Sequence, residues 1–384
     1  MPVTDRPRVA LVHDWLTGMR GGEKCLEPAC RRWPGAALFT LLHNRGSVSP
    51  AIEGLRPRVS WLGKLPGVAR YYRHLLPVFP AAARWRIPAD RDLVLSFSHC
   101  VAKAATPPAG VPHVCYCFTP MRYAWHMRDA YFGTGRSGRV KAAVIDRVLR
   151  RLRDWDRATA DRVTHFVAIS RTIRDRIRDS YGRPSTVIYP PVDTDFYTPT
   201  TGPRDGYYLV VSALAPYKRF DLAVGACRKL GRELVVIGAG QDGARLKAVA
   251  GPGVTFLGWQ PDAVIRDHFR RAKALLFPGE EDFGIVPVEA QACGCPVIAF
   301  GRGGATETVR PLGGPDPTGV FFGEQTVDAV ADAIERFERE ADRFDPRAAR
   351  RQAVQFGARR YEDELFGFVE RVLAGPSADL ARAA

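Results

Sequence analysis

Short runs of β-branched and aliphatic residues recur along the chain, each ending in glycine or a polar turn and followed by apolar positions at helical spacing. Near-continuous apolar runs suit strands buried on both faces, and the helical spacing between them suits crossover helices, so the alternation predicts an α/β protein with parallel sheets. In the first half the predicted strands are 8–13, 93–97, 113–116 and 165–169. In the second half they are 207–212, 233–238, 254–257, 274–277 and 296–300.

The rhythm breaks at Tyr189-Pro190-Pro191 and again at the polar stretch 198–203, where proline fixes φ and ends regular structure. At 384 residues the chain exceeds one ordinary core, and the break divides it into domains 1–200 and 201–356, each Rossmann-like. Residues 357–384 supply an amphipathic segment, 358–373, expected to return to the first domain, then a frayed tail.

Composition narrows the class. An apolar fraction of 46% with 25% charged residues is that of a globular protein. No run approaches the roughly 18 consecutive apolar residues of a spanning helix, and the opening residues lack a signal peptide's long apolar region and cleavage site. The expected location is therefore the cytoplasm. Among the eight cysteines, the close pairs Cys115/Cys117 and Cys293/Cys295 have one-residue gaps, unlike zinc spacing, so they read as buried thiols and no metal is expected.

A formal charge of +15 points to an acidic partner: nucleic acid, an anionic bilayer or a phosphorylated small molecule. Heavy arginine use of the kind found in a high-GC genome is the alternative origin. No nucleic-acid reading motif is present, so nucleic acid is not an expected partner. Residues 54–89 contain no acid and interleave Trp61, Tyr71, Tyr72, Phe79 and Trp85 with Lys64, Arg70, Arg73, Arg84 and Arg86, which suits a peripheral site on the inner face of a membrane. Farther on, Val140, Val144, Ile145, Val148, Leu149, Leu152 and Trp155 form a helical stripe among arginines, read as a core-facing stripe with a solvated face.

Three places carry candidate chemistry. The first strand ends at His13-Asp14-Trp15, and Gly21-Gly22 precede a helix, where bare backbone amides suit an acceptor substrate or phosphate. The spacing is not GxGxxG, which disfavours a nicotinamide or flavin. In the second half Lys218 and Arg219 lie on a strand-to-helix loop, at the end of the sheet where open α/β folds bind ligands, and can hold a diphosphate; for Arg219 a solvated surface charge is an equal alternative. The third is Glu281-Asp282-Phe283-Gly284-Ile285-Val286-Pro287-Val288-Glu289. It offers a carboxylate, a glycine permitting close approach, and a helix start whose amides meet phosphate, with Glu289 about two turns in and able to accept two ribose hydroxyls.

That segment, with Ala292-Cys293-Gly294-Cys295-Pro296-Val297-Ile298-Ala299 and Gly301-Arg302-Gly303-Gly304 after it, resembles the signature of retaining family 4 glycosyltransferases of the GT-B fold. Ser170, Tyr189-Pro190-Pro191-Val192-Asp193 and the Lys218 loop fall in the same order, so the likeness covers nearly the whole chain. Val12-His13-Asp14-Trp15 with Gly21-Gly22-Glu23-Lys24, and Tyr116-Cys117-Phe118-Thr119-Pro120-Met121-Arg122-Tyr123, are similar to mannosyltransferases of O-antigen and exopolysaccharide assembly.

The resemblance implies two Rossmann-like domains facing a cleft and metal-independent, retaining hexosyl transfer. The donor is a nucleoside diphosphate sugar, GDP-mannose first and a UDP-sugar second. The acceptor is a glycan or polyprenyl-diphosphate-linked sugar bound by the first domain. In these roles Lys218 holds donor phosphate, Glu281 the transferred sugar, Glu289 the ribose, and the amides of Gly284 and Ile285 the distal phosphate, with Phe283 beside them. The family's frequent arginine five residues before the lysine is Ala213 here, and its histidine near the sugar is Phe118, with His126 close by in sequence.

Overall fold

The computed structural model describes residues 7–125 and 139–375. They form two compact units, the first of the described residues up to Tyr189 and from Glu362 onward, the second of Pro190–Tyr361. The units divide between Tyr189 and Pro190, at the first break in the sequence and ten residues before the expected boundary at residue 200.

Unit 1 holds β1 (Val9–His13), β2 (Ala37–Thr40), β3 (Arg58–Val59), β4 (Leu93–Ser98), β5 (His113–Cys117), β6 (His165–Ala168) and β7 (Ser185–Val187). They make one sheet in the order β3-β2-β1-β4-β5-β6-β7, every pair parallel. β1, β4 and β5 are buried at every residue, which explains their unbroken apolar runs, because helices cover both faces of a parallel sheet. β2, β3 and β7 were not anticipated: the described strands there are only four, two and three residues long, too short to show a periodicity.

Unit 2 holds β8 (Tyr208–Val211), β9 (Leu234–Ile237), β10 (Val254–Gly258), β11 (Leu275–Phe277), β12 (Val297–Phe300) and β13 (Gly319–Phe322). Their order, β10-β9-β8-β11-β12-β13, repeats that of the first unit and is again all parallel. β13 escaped prediction because its four residues, Gly-Val-Phe-Phe, follow a stretch of glycine and proline that reads as loop.

Each core is the apolar strand face plus one stripe of each helix. The helix Val327–Arg339 buries Val330, Ile334 and Phe337 against β8 and β12 neighbours, each worth roughly 1.5–3 kcal/mol. It starts at Thr326, whose hydroxyl accepts the Ala329 N–H at 3.1 Å, a cap worth about 1 kcal/mol. The last helix, Ala358–Leu373, contributes residues 362–373 to unit 1, where Phe366 meets Trp33 edge-on at 5.3 Å and Phe368 meets His165 at 6.0 Å.

All eight cysteines are buried free thiols. In the acid-free segment 54–89 the expected aromatic face is smaller than its composition implied. Tyr72, Phe79 and Trp85 are core residues, packed with Trp15 and Leu76, and only Trp61 and Tyr71 stand exposed beside Lys64, Arg70 and Arg73. In the arginine-rich helix Arg139–Ala160, Leu149 and Leu152 are buried as expected of a core stripe, whereas Val144 is exposed. No described helix is long and apolar enough to cross a membrane.

Candidate functional site

In unit 2 the strand order steps outward from β8 through β9 to β10 and then restarts at β11, on the other side of β8. At such a reversal the loops leaving the two central strands diverge, opening a crevice at their carboxyl ends. Both loops with candidate residues arise there. β8 leads to a tight turn, Pro216–Lys218, and β11 leads to residues 278–284 and the helix Ile285–Ala292. A Cβ on Gly279 would lie 3.0 Å from Lys218 Cα, so the loops touch backbone to backbone. Across that contact the Lys218 ammonium reaches Glu281 Oε1 at 2.5 Å, both side chains remaining partly open to solvent.

A third loop locks this arrangement. The Gly304 N–H donates to the Glu281 carbonyl at 2.8 Å, and a Cβ on Gly304 would sit 2.2 Å from Phe283 Cα, closer than any side chain can approach. Gly303 faces the Glu281 carbonyl in the same way, at 2.5 Å. The glycine run is thus a backbone clamp on the Glu281 loop. Phe283 does not face the crevice as expected: its ring is 3% exposed and packs on Phe356 at 5.6 Å, anchoring the loop from beneath.

Gly284 takes φ +85°, a left-handed turn that turns the chain from loop into helix. First-turn amides have no acceptor within a helix, so Ile285 and its successor present N–H groups and the positive end of the dipole. Glu289 lies one turn into this helix, not two, since the helix begins at Ile285, and it is 7% exposed. Arg219 is committed elsewhere, its guanidinium 3.3 Å from Asp221.

Unit 1 has its own reversal, between β1 and β4. Asp14, directly after β1, is fully buried, and its carboxylate accepts the backbone N–H groups of His99, Cys100, Val101 and Ala102 at 2.6–3.0 Å. His99 Nδ1 lies 2.9 Å from the same carboxylate. Burial opposes ionisation of Asp14, but His99 and the amides outweigh it and hold the carboxyl down at about 2. Asp14 therefore pins the loop after β4 and fixes the His99 ring, which Trp15 flanks edge-on at 4.4 Å.

His13, the last residue of β1, is 1% exposed, and burial lowers its pKa. Its Nδ1 lies 3.0 Å from the Trp15 carbonyl, which can only accept, so Nδ1 carries the proton and Nε2 is an acceptor. Gly21 and Gly22 open the helix Gly21–Arg32, and a Cβ on Gly22 would lie 3.2 Å from His13 Nε2 and 3.4 Å from the Phe118 ring. Phe118 stands between the two imidazoles, its ring centroid 6.5 Å from His13 and 6.3 Å from His99. His126 lies outside the described residues. His99, just past β4, was not singled out from sequence.

A family model described as Glycosyltransferase Family 4 matches residues 30–196, and one described as Glycosyl transferases group 1 matches residues 198–355. The D-inositol 3-phosphate glycosyltransferase of Mycobacterium tuberculosis (strain ATCC 25618 / H37Rv) is 30% identical over 224 residues, 51% of this chain. The chain spans 45% of the length of that relative. Among solved structures, sucrose-phosphate synthase from Thermosynechococcus elongatus aligns with a TM-score of 0.70 at 18% identity, covering 97% of this chain and 100% of that one. Anabaena HepE in complex with UDP-glucose aligns with 0.67 at 17% identity, covering 94% and 99%. At such identities these structures establish the fold alone. With a family 4 model on residues 30–196 and a group 1 model on residues 198–355, glycosyltransferase models span most of the chain, which therefore belongs to the glycosyltransferases, and its fold is of GT-B type.

Proposed function

We propose that the chain is a retaining hexosyltransferase in cell-surface polysaccharide synthesis. Unit 2 holds a nucleoside diphosphate sugar, and the hexosyl group passes to a glycan or polyprenyl-diphosphate-linked acceptor held by unit 1. The observation that carries this reading is the Lys218–Glu281 pair at the β8/β11 reversal, beside the exposed amides that open the helix at Ile285. A diphosphate needs cations and backbone N–H donors, and a sugar needs a carboxylate to accept its hydroxyls. Both are present within one crevice.

In the reaction the bond from the anomeric carbon to the diphosphate breaks, and its electron pair leaves with the phosphate oxygen. The acceptor hydroxyl adds on the same face, and its proton passes to the departing diphosphate. Lys218 and the amides of Gly284 and Ile285 stabilise the growing charge, which is preorganised electrostatic catalysis and asks nothing of a metal. Glu281 orients the sugar, and Glu289, one turn into the helix, takes the ribose.

GDP-mannose is the first donor to test, on the motifs at His13 and Phe118, and a UDP-sugar is the second, favoured by the UDP-glucose complex of HepE. A thermal-shift series over nucleoside diphosphate sugars identifies the donor, since a ligand bound only by the native state raises Tm with concentration. NMR of the product then reads its anomeric configuration, and an inverted anomer overturns the mechanism. The exposed Trp61 and Tyr71 with Lys64, Arg70 and Arg73 favour peripheral binding to an anionic bilayer, where a lipid-linked acceptor resides.

A further inference from the structure

His13 poses a question that folding does not answer. A buried acceptor without a donor costs about 1–3 kcal/mol, so buried polar atoms are normally paired. His13 Nε2 is buried with no hydrogen-bond partner among the described residues, and a Cβ on Gly22 would lie 3.2 Å from it and 3.4 Å from the Phe118 ring. His99 is oriented in the same way: its Nδ1 faces the Asp14 carboxylate, which only accepts, so in the neutral ring Nε2 is the free acceptor, on a side chain 22% exposed. The loops carrying both imidazoles and Phe118 leave the carboxyl ends of three adjacent strands, β1, β4 and β5, across the reversal where open sheets take ligands.

We propose that unit 1 binds the hydroxyl-bearing face of a hexopyranose here, with His99 Nε2 and His13 Nε2 accepting hydrogen bonds from sugar hydroxyls and Phe118 backing the ring. The lone pair that each neutral imidazole presents suits a ligand that donates O–H, and the Asp14 carboxylate is already satisfied by its own loop. An aromatic ring between them offers an apolar surface to the C–H face of a pyranose. Gly22 leaves room before His13 Nε2, since a Cβ there would crowd the nitrogen at 3.2 Å. The inference rests on the reading of the chain as a hexosyltransferase and adds to it the residues that recognise the sugar on unit 1.

The test is NMR of the full chain with ¹⁵N-labelled histidine, titrated with methyl α-mannopyranoside, methyl α-glucopyranoside and, as control, glycerol. The expected result is a saturable shift of the Nε2 resonances of His13 and His99 with a glycoside and none with glycerol. His99→Asn and His13→Asn each keep a donor at the Nδ1 position but lack Nε2, and should weaken glycoside binding about tenfold. His99→Gln and His13→Gln return an acceptor near the Nε2 position and should restore part of the affinity. A response to the free glycoside assigns the site to a glycan, while a response to GDP-mannose or UDP-glucose but not to GDP or UDP assigns it to the sugar of the donor; either supports the proposal. Imidazole resonances that stay fixed with every sugar, or move equally with glycerol, overturn it. GDP and UDP binding, read separately by thermal shift, tests the donor crevice of unit 2, so the two readings fail independently.

Discussion

The two units wind their strands in the same order about a first strand, and in each the polar side chains gather where that order reverses, but the two reversals are built from opposite materials. In unit 2 three loops press together with almost no side chain between them, Gly279 on Lys218 and Gly303 and Gly304 on residues 281–283, and a cation and a carboxylate meet on top. In unit 1 one buried carboxylate collects four amides and a histidine, and the surface it holds in place is aromatic. On the proposed reading, the same topology offers a diphosphate a charged, backbone-lined crevice in one unit and offers hydroxyls an imidazole-lined one in the other. Topology decides where a ligand goes, and loop chemistry decides which ligand.

The contrast can be broken from either side. The largest effect is expected from Lys218→Ala, which should lower kcat about 10²–10³-fold, the scale of losing one charge-stabilising donor, while leaving stability nearly unchanged because the pair is partly solvated. Steady-state kinetics beside urea denaturation would check it, and a large loss of stability would make Lys218 a structural residue. Asp14→Ala should do the reverse, costing about 3 kcal/mol of stability, since it strands buried amides of the loop after β4. A urea midpoint unchanged from that of the parent chain would contradict the pinning role.

Acid should loosen unit 1 before any carboxylate titrates. Burial pushes His113 down to about 3, although Ser96 and the Arg162 carbonyl satisfy both its nitrogens. Its folded value lies below its unfolded value of about 6.5, so the unfolded chain binds the extra proton, and stability is complete above pH 6.5 and lost as pH falls. His113 alone should remove about 1–1.5 kcal/mol between pH 7.5 and 5.5, and buried His13 acts in the same direction. Urea midpoints over that range, compared with a His113→Gln variant whose pH slope should flatten, provide the measurement. The smallest effect is expected of Trp61→Ser: a stability change within about 0.5 kcal/mol and a severalfold loss of binding to phosphatidylserine-containing vesicles. Undiminished vesicle binding would remove the aromatic face from the proposal.

What was legible in the sequence follows from how each feature is encoded. Strands buried on both faces announce themselves as apolar runs, so β1, β4, β5, β8, β9 and β11 were read close to their observed bounds. β3 and β7 are held by their neighbours' hydrogen bonds and leave no pattern of their own. At the proposed donor crevice the residue types and their order were legible, but not that Phe283 points inward or that Arg219 is tied to Asp221, because both depend on partners distant in the fold or on side-chain direction. His99 was invisible for a related reason. Its meaning comes from Asp14, 85 residues away, and a single histidine in sequence carries no record of the carboxylate that orients it.

The last helix has a consequence for biogenesis. Most of unit 1 precedes unit 2 in the chain, yet Phe366 and Phe368, which cover Trp33 and His165, belong to the same unit and are translated after all of unit 2. On the ribosome the domain that starts first therefore finishes last. During the interval its seven-stranded sheet waits with an uncovered apolar flank, and a chain released short of residue 362 would carry a complete second unit and an unfinished first, a natural client for chaperones.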